Sequence, residues 1–273
     1  MFIMHSYFRP LFSASHIKSS VAGSLLTLMS CLSMGIGLSG CASTHSVPSS
    51  AQSASPQARA SAYSELGMSY LSRGDTSRAY QAFQHSLALN NQEASALHGL
   101  ALIEQHNGDM ARAGEYYDRT LRTLSKSREI TDNGSLQVPQ VRNNYASLLF
   151  EEGKFEQACQ QLSRAASDTH YPGRPGILVN LSQCQLKTGN MTGAGNTLNE
   201  AERIAPEQPL VMLAQAYLDF YKGNLDASSA KLSQYVHLKG NTHESDALSQ
   251  ALSRARQMSE TPASSNQSTN RAQ

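Results

Sequence analysis

The chain has no tryptophan, and only 16% of its 273 residues are charged, against the usual quarter. Its formal net charge is +1, which leaves no broad basic field and argues against electrostatic binding of nucleic acid. Four cysteines in this length do not make a disulfide-dense scaffold. The sequence carries no phosphate loop, dinucleotide fingerprint, nucleophile elbow or zinc-protease motif. The nine histidines are scattered, and His98 and His106 lie about two helical turns apart, too far for a shared ion. Glu151-Glu152 reads as a solvated helix end rather than an acid pair. No catalytic residue, metal ligand, cofactor or small-molecule substrate is therefore expected. A mean hydropathy of −0.40 excludes a multi-span membrane protein. With 40% hydrophobic residues, the chain must still bury a core.

The one long apolar run lies near the start. Residues 1–40 carry Arg9 and Lys18 but no acid, then a small-residue, apolar stretch from Val21 to Gly40. That order is the pattern of a secretory signal, and its serines and glycines speak against a stable membrane span. It ends in Leu38-Ser39-Gly40-Cys41, which resembles the bacterial lipobox. The resemblance implies cleavage before Cys41 and lipidation of that residue, with enough acyl chains for stable anchoring. Ala42 follows rather than the Asp typical of inner-membrane retention, so the implied location is the periplasmic face of the outer membrane. Cys31, inside the apolar run, is incidental. Residues 41–59 are rich in Ser, Ala, Gln and Pro and read as a flexible tether with a reach of roughly 25 Å.

From residue 60 the chain repeats itself. Tyr63, Leu66-Gly67, Tyr70, Gly74, Ala79 and Phe83 recur as Leu97, Leu100-Ala101, Gly108, Ala113 and Tyr117. Further copies follow around Gly153, Gly189 and Gly223. The first four turn glycines are each followed five residues later by Ala; the fifth has Ser228. A helix of about 14 residues that ends at Gly, followed by a helix whose Ala permits close approach, cannot bury its apolar face alone and must stack. The pattern resembles the tetratricopeptide repeat. It predicts an all-α superhelix over 60–258 with five repeats and a capping helix near Ser245–Met258, followed by a disordered tail at 259–273. An insertion near Arg128–Val138 carries the turn signal Asp132-Asn133-Gly134.

In such a superhelix the first helix of each repeat lines the inner face. The register nominates Met68 and Leu71; His98, Leu102, Gln105 and His106; Asn143, Ser147 and Phe150; Val179, Gln183, Leu186 and Lys187; and Leu213, Tyr217, Phe220 and Tyr221. Apolar side chains there suit an apolar or amphipathic peptide, and packing between helices is the competing reading for Met68, Leu71 and Phe150. Basic residues are sparse, Lys187 being the main one, which argues against a clamp for a carboxylate terminus. Cys159 and Cys184 fall on neighbouring helices, so a disulfide and two separately buried thiols are both open.

A lipobox, a tether and five repeats together resemble the type IV pilus biogenesis lipoproteins of the PilF/PilW family. The stretches Asn143-Asn144-Tyr145, Leu148 to Ala158, and Tyr171-Pro172 with Arg174 and Val179-Asn180-Leu181 carry the likeness. The family usually completes a sixth repeat, whereas this chain is expected to supply one helix of it. The resemblance implies a pilotin that binds subunits of the pilus secretin and promotes their delivery to, and multimerisation in, the outer membrane. The alternative is another outer-membrane repeat lipoprotein, a scaffold for barrel-protein assembly or for cell-wall enzymes.

Overall fold

A computed structural model describes residues 55–126 and 136–260. The expected signal, Cys41, most of the tether, the Asp132-Asn133-Gly134 turn and the tail from 261 lie outside the described residues. Among the described residues there are eleven helices: α1 (Pro56–Ser72), α2 (Thr76–Leu89), α3 (Ala94–Asn107), α4 (Met110–Lys126), α5 (Val138–Glu151), α6 (Phe155–Ala166), α7 (Arg174–Lys187), α8 (Met191–Ile204), α9 (Pro209–Tyr221), α10 (Leu225–Lys239) and α11 (His243–Glu260). Each odd helix packs on the even helix that follows, and each even helix on the next odd one. The described helices include none long and apolar enough to cross a membrane.

The repeat is built at its turn. Gly74, Gly108, Gly153, Gly189 and Gly223 all adopt φ between 76° and 84°. Nothing lies within 4 Å of where a Cβ would stand at any of the five, so left-handed backbone, not lack of space, demands glycine there. The amide of the next residue (Asp75, Asp109, Lys154, Asn190 or Asn224) donates to the carbonyl five residues back in all five turns. Asp75, Asp109 and Asn190 then cap the following helix, their side chains accepting from the amides of Arg78, Arg112 and Gly193. The chain thus reverses the same way five times.

Close approach follows. Ala79, Ala113, Ala158 and Ala194 are fully buried. Ser228 occupies the fifth position, also fully buried, and its hydroxyl donates to the Ala216 carbonyl at 2.7 Å. The facing helix thereby satisfies the extra polar group. One turn on, Phe83, Tyr117, Leu162, Leu198 and Leu232 fill the spaces between helices. Phe83 is gripped hardest: a Cβ at Gly67 or Gly99 would stand 2.5 or 2.2 Å from its ring.

Two boundaries differ from expectation. Helix α1 begins at Pro56, because Ser55 caps it by accepting from the Ala58 amide and proline suits the first turn; residues 56–59 therefore belong to the fold and not to the tether. Helix α11 extends the expected cap at both ends, over His243–Glu260. It buries Leu248 and Leu252 against α9 and α10 and turns Ser249, Gln250, Ser253 and Gln257 outward, the polar outer surface that a terminal repeat needs.

Candidate functional site

The odd helices touch one another along one side of the array, with α1 against α3, α3 against α5, α7 against α9 and α9 against α11. On this side Met68, Leu71, Leu102, Asn143 and Leu186 are half-buried. Met68 and Leu71 lean on the first core cluster, Leu102 on the next, and Leu186 on the large cluster around α5–α9. Each keeps part of its surface available.

Other nominated residues are not on the surface. His98 is 1% exposed and Phe150 is 7% exposed, and Val179, Gln183 and Leu213 are buried as well. His98, Val179 and Leu213 all stand at the fifth position of a first helix, which in the stack faces the seam with the next repeat. His98 Nε2 lies 3.0 Å from Asn144 Nδ2, and Asn180 donates to Asn143 Oδ1 at 2.8 Å. Phe150 closes on the Phe155 ring at 4.9 Å, where the chain turns back into α6. His98 and Phe150 are seam and core residues, not groove residues. Asn144 and Asn180, at the sixth position of consecutive repeats, were missed as seam partners; their recurrence was the available signal.

With the Asn144 amide donating, the neutral His98 ring carries its proton on Nδ1, which has no partner. Burial holds its pKa down at about 4. The ring is therefore an uncharged wedge at neutral pH.

The chemistry of the inner side changes along the array. Its first helix offers a thioether and an aliphatic side chain, Met68 and Leu71. In the middle the polar groups engage one another: Tyr117 donates to Gln105 Oε1 at 2.9 Å, Gln105 donates to Glu151 Oε1 at 3.0 Å, and Ser147 donates to the same oxygen at 3.3 Å. Toward the far end the surface becomes aromatic, with half-buried Tyr217, Phe220 and Tyr221 on α9, which packs on α7, the helix of Leu186 and Lys187. The Phe220 and Tyr221 rings stand edge to face at 5.9 Å. Burial pushes the Tyr221 hydroxyl up to about 12 and lowers the Lys187 ammonium, marks of a partly dehydrated surface. The Tyr217 hydroxyl donates to the Glu244 carbonyl at 2.8 Å, which ties α11 to this end.

Cys159 on α6 and Cys184 on α7 are joined, with Cα atoms 5.5 Å apart. Among the described residues no group of three or more His, Cys, Asp or Glu is placed to hold a metal ion. The site offers apolar and aromatic contact with a few fixed polar groups, the features of a peptide-binding surface.

Profiles of the tetratricopeptide repeat match residues 64–127 and 149–218. The type IV pilus assembly protein PilF of Pseudomonas aeruginosa is 30% identical over 186 residues, which span 68% of this chain and 69% of that protein. Cellulose synthase 1 operon protein C of Komagataeibacter xylinus is 25% identical over 182 residues, 66% of this chain but 13% of that much longer protein. The solved structure of P. aeruginosa PilF superposes with a TM-score of 0.62 at 26% identity, covering 74% of this chain and 86% of that one. PilW, described as a widely conserved type IV pilus biogenesis factor, superposes at 0.58 with 18% identity, covering 76% and 95%; at that identity the likeness concerns the fold.

Proposed function

Because this chain belongs to the family of the type IV pilus assembly protein PilF, we propose that it is a pilus biogenesis factor that works by binding, with a segment of the pilus secretin seated on the inner side of the odd helices. The observation that carries this reading is the row of half-buried Met68, Leu71, Leu102 and Leu186 ending in the aromatic group of Tyr217, Phe220 and Tyr221. Partly exposed apolar area of this kind is where an aggregation-prone subunit of an oligomeric pore can be sheltered.

In this reading Cys41 carries the lipid anchor, and sorting of the anchor takes the bound subunit to the periplasmic face of the outer membrane, where subunits multimerise. The work is physical: a bound subunit is held out of aggregation and moved. This step needs no small-molecule substrate, cofactor or nucleic acid.

The test is purification of the full-length protein from its own envelope with its partners identified by mass spectrometry. The secretin should dominate. Leu71→Asp and Leu186→Asp should lose it without loss of fold. Cys41→Ser should keep it but leave the complex outside the outer-membrane fraction, with fewer assembled pores. Normal pore levels in Cys41→Ser would overturn the carrier role. Barrel-assembly factors or cell-wall enzymes in place of the secretin would favour the scaffold alternative.

A further inference from the structure

On a chain of net charge +1, cations collect at one place away from the inner side. Arg119, Arg122 and Lys126 sit three and four residues apart on the last two turns of α4 and so share one face. With Asn91 and Gln92 of the α2–α3 turn and the buried Leu97 behind them, they line a pocket of about 230 Å³. That is below the ~300–1,000 Å³ of sites for drug-sized ligands.

Among the described residues no carboxylate lines the pocket. None of the ion pairs among the described residues involves Arg119, Arg122 or Lys126. Glu93, the nearest acid on the turn, is engaged by Gln57 and Asn90 instead. Arg119 is held in place: its guanidinium donates to the Asn91 carbonyl at 3.3 Å and lies 5.7 Å from the Tyr116 ring centroid. The carbonyl end of α4 carries about half a negative charge, which three cations outweigh. A fixed guanidinium, two further cations with no ion pair among the described residues, and an apolar floor make a receptor for one compact, multiply charged oxyanion.

We propose that this pocket binds a phosphate group. The proposal does not depend on the secretin reading, since the pocket lies outside the inner side. The phosphate can belong to a phospholipid headgroup or to a small soluble phosphate, and both present the same oxygens to Arg119, Arg122 and Lys126.

The test follows backbone amide NMR signals of the chain from Cys41, which contains the whole described fold, during titration with inorganic phosphate against chloride at equal ionic strength. Amides of Asn91, Gln92, Leu97 and Thr123 should shift and saturate. Arg122→Gln with Lys126→Gln should weaken that binding by about tenfold or more, while the thermal melt stays in place because both side chains are exposed. Flotation with phosphatidylcholine vesicles, with and without phosphatidic acid, identifies the source. Variant-sensitive flotation that requires phosphatidic acid assigns a lipid headgroup; phosphate shifts without flotation assign a soluble phosphate. Shifts that fail to saturate or are unchanged in the variant, with no variant-sensitive flotation, would overturn the proposal. So would saturation by polyglutamate and not by phosphate.

Discussion

Between repeats two and three, α3 meets α5 through an imidazole, an amide and a hydrogen-bonded row of Tyr117, Gln105, Glu151 and Ser147. Between repeats three and four, α6 meets α7 through a disulfide set in the largest apolar cluster of the array, and Arg174 at the start of α7 adds a 2.7 Å hydrogen bond to the Ala166 carbonyl. The same repeat is therefore joined to its two neighbours by different means. The first junction contains a titratable ring; the second is held covalently. In a stacked array, stability is a sum of repeat and interface contributions, so the two junctions should be separable by experiment.

The largest effect should come from cutting the covalent junction. Cys159 and Cys184 are 25 residues apart in sequence, and closing a loop of that size restricts the unfolded chain by about 3 kcal/mol. Cys184→Ala should lower stability in urea by that order, and reductant should produce the same fall in the unmodified protein but none in the variant. A variant as stable as the parent would remove the contrast between the junctions.

The second effect belongs to the polar junction and depends on pH. The folded His98 ring takes up a proton only near pH 4, whereas the unfolded ring does so near 6.5. As pH falls, the unfolded state is protonated first, so the contribution of the neutral ring is complete above pH 6.5 and declines toward pH 4. Over that window the loss is about 3 kcal/mol at most. His98→Leu should flatten the corresponding part of the stability curve, while Cys184→Ala should shift the curve without changing its shape.

What was legible in the sequence divides along a similar line. The five turn glycines and the alanines after them were readable because each answers to its own backbone, a positive φ or a close helix contact. The sides of α3 and α5 were only partly readable. Whether His98 faces a groove or a seam depends on how far one repeat is rotated against the next, and that angle is a property of two packed repeats. For Phe150 the groove reading gives way to the competing one, packing between helices, for a related reason: its partner, Phe155, lies beyond a turn whose geometry decides which way the helix end points. The start of α1 was missed because Pro56 and Ser55 look like tether composition until they are seen as first turn and cap.

The junction between repeats one and two turns on the fit of one aromatic ring and gives a third point of comparison. Phe83 of α2 stands between Gly67 and Gly99, and a methyl group at Gly99 would sit 2.2 Å from its ring. Gly99→Ala should destabilise by about 1–3 kcal/mol through overpacking, with neither the reductant sensitivity of one neighbour nor the pH dependence of the other. Calorimetry of Gly99→Ala with and without Phe83→Leu checks the cause, since the smaller side chain should restore most of the loss.

The smallest effect should come from Gln105. Its amide links Tyr117, whose ring is fully buried, to Glu151 on the next repeat. Replacing it by Ala leaves the Tyr117 hydroxyl without that acceptor, yet Glu151 retains the Ser147 hydroxyl and access to water. Only one neutral pairing is then fully lost, which costs about 1 kcal/mol. The Tyr117 ring also stacks on Tyr145 at 5.4 Å, a contact the substitution does not touch. Gln105→Ala should therefore lower stability by about 1 kcal/mol, and it should leave the His98 segment of the pH curve in place. A double variant with His98→Leu distinguishes two designs for this junction: losses that add mean that the histidine seam and the hydrogen-bonded row act separately, whereas a combined loss smaller than the sum means that they form one cooperative polar network.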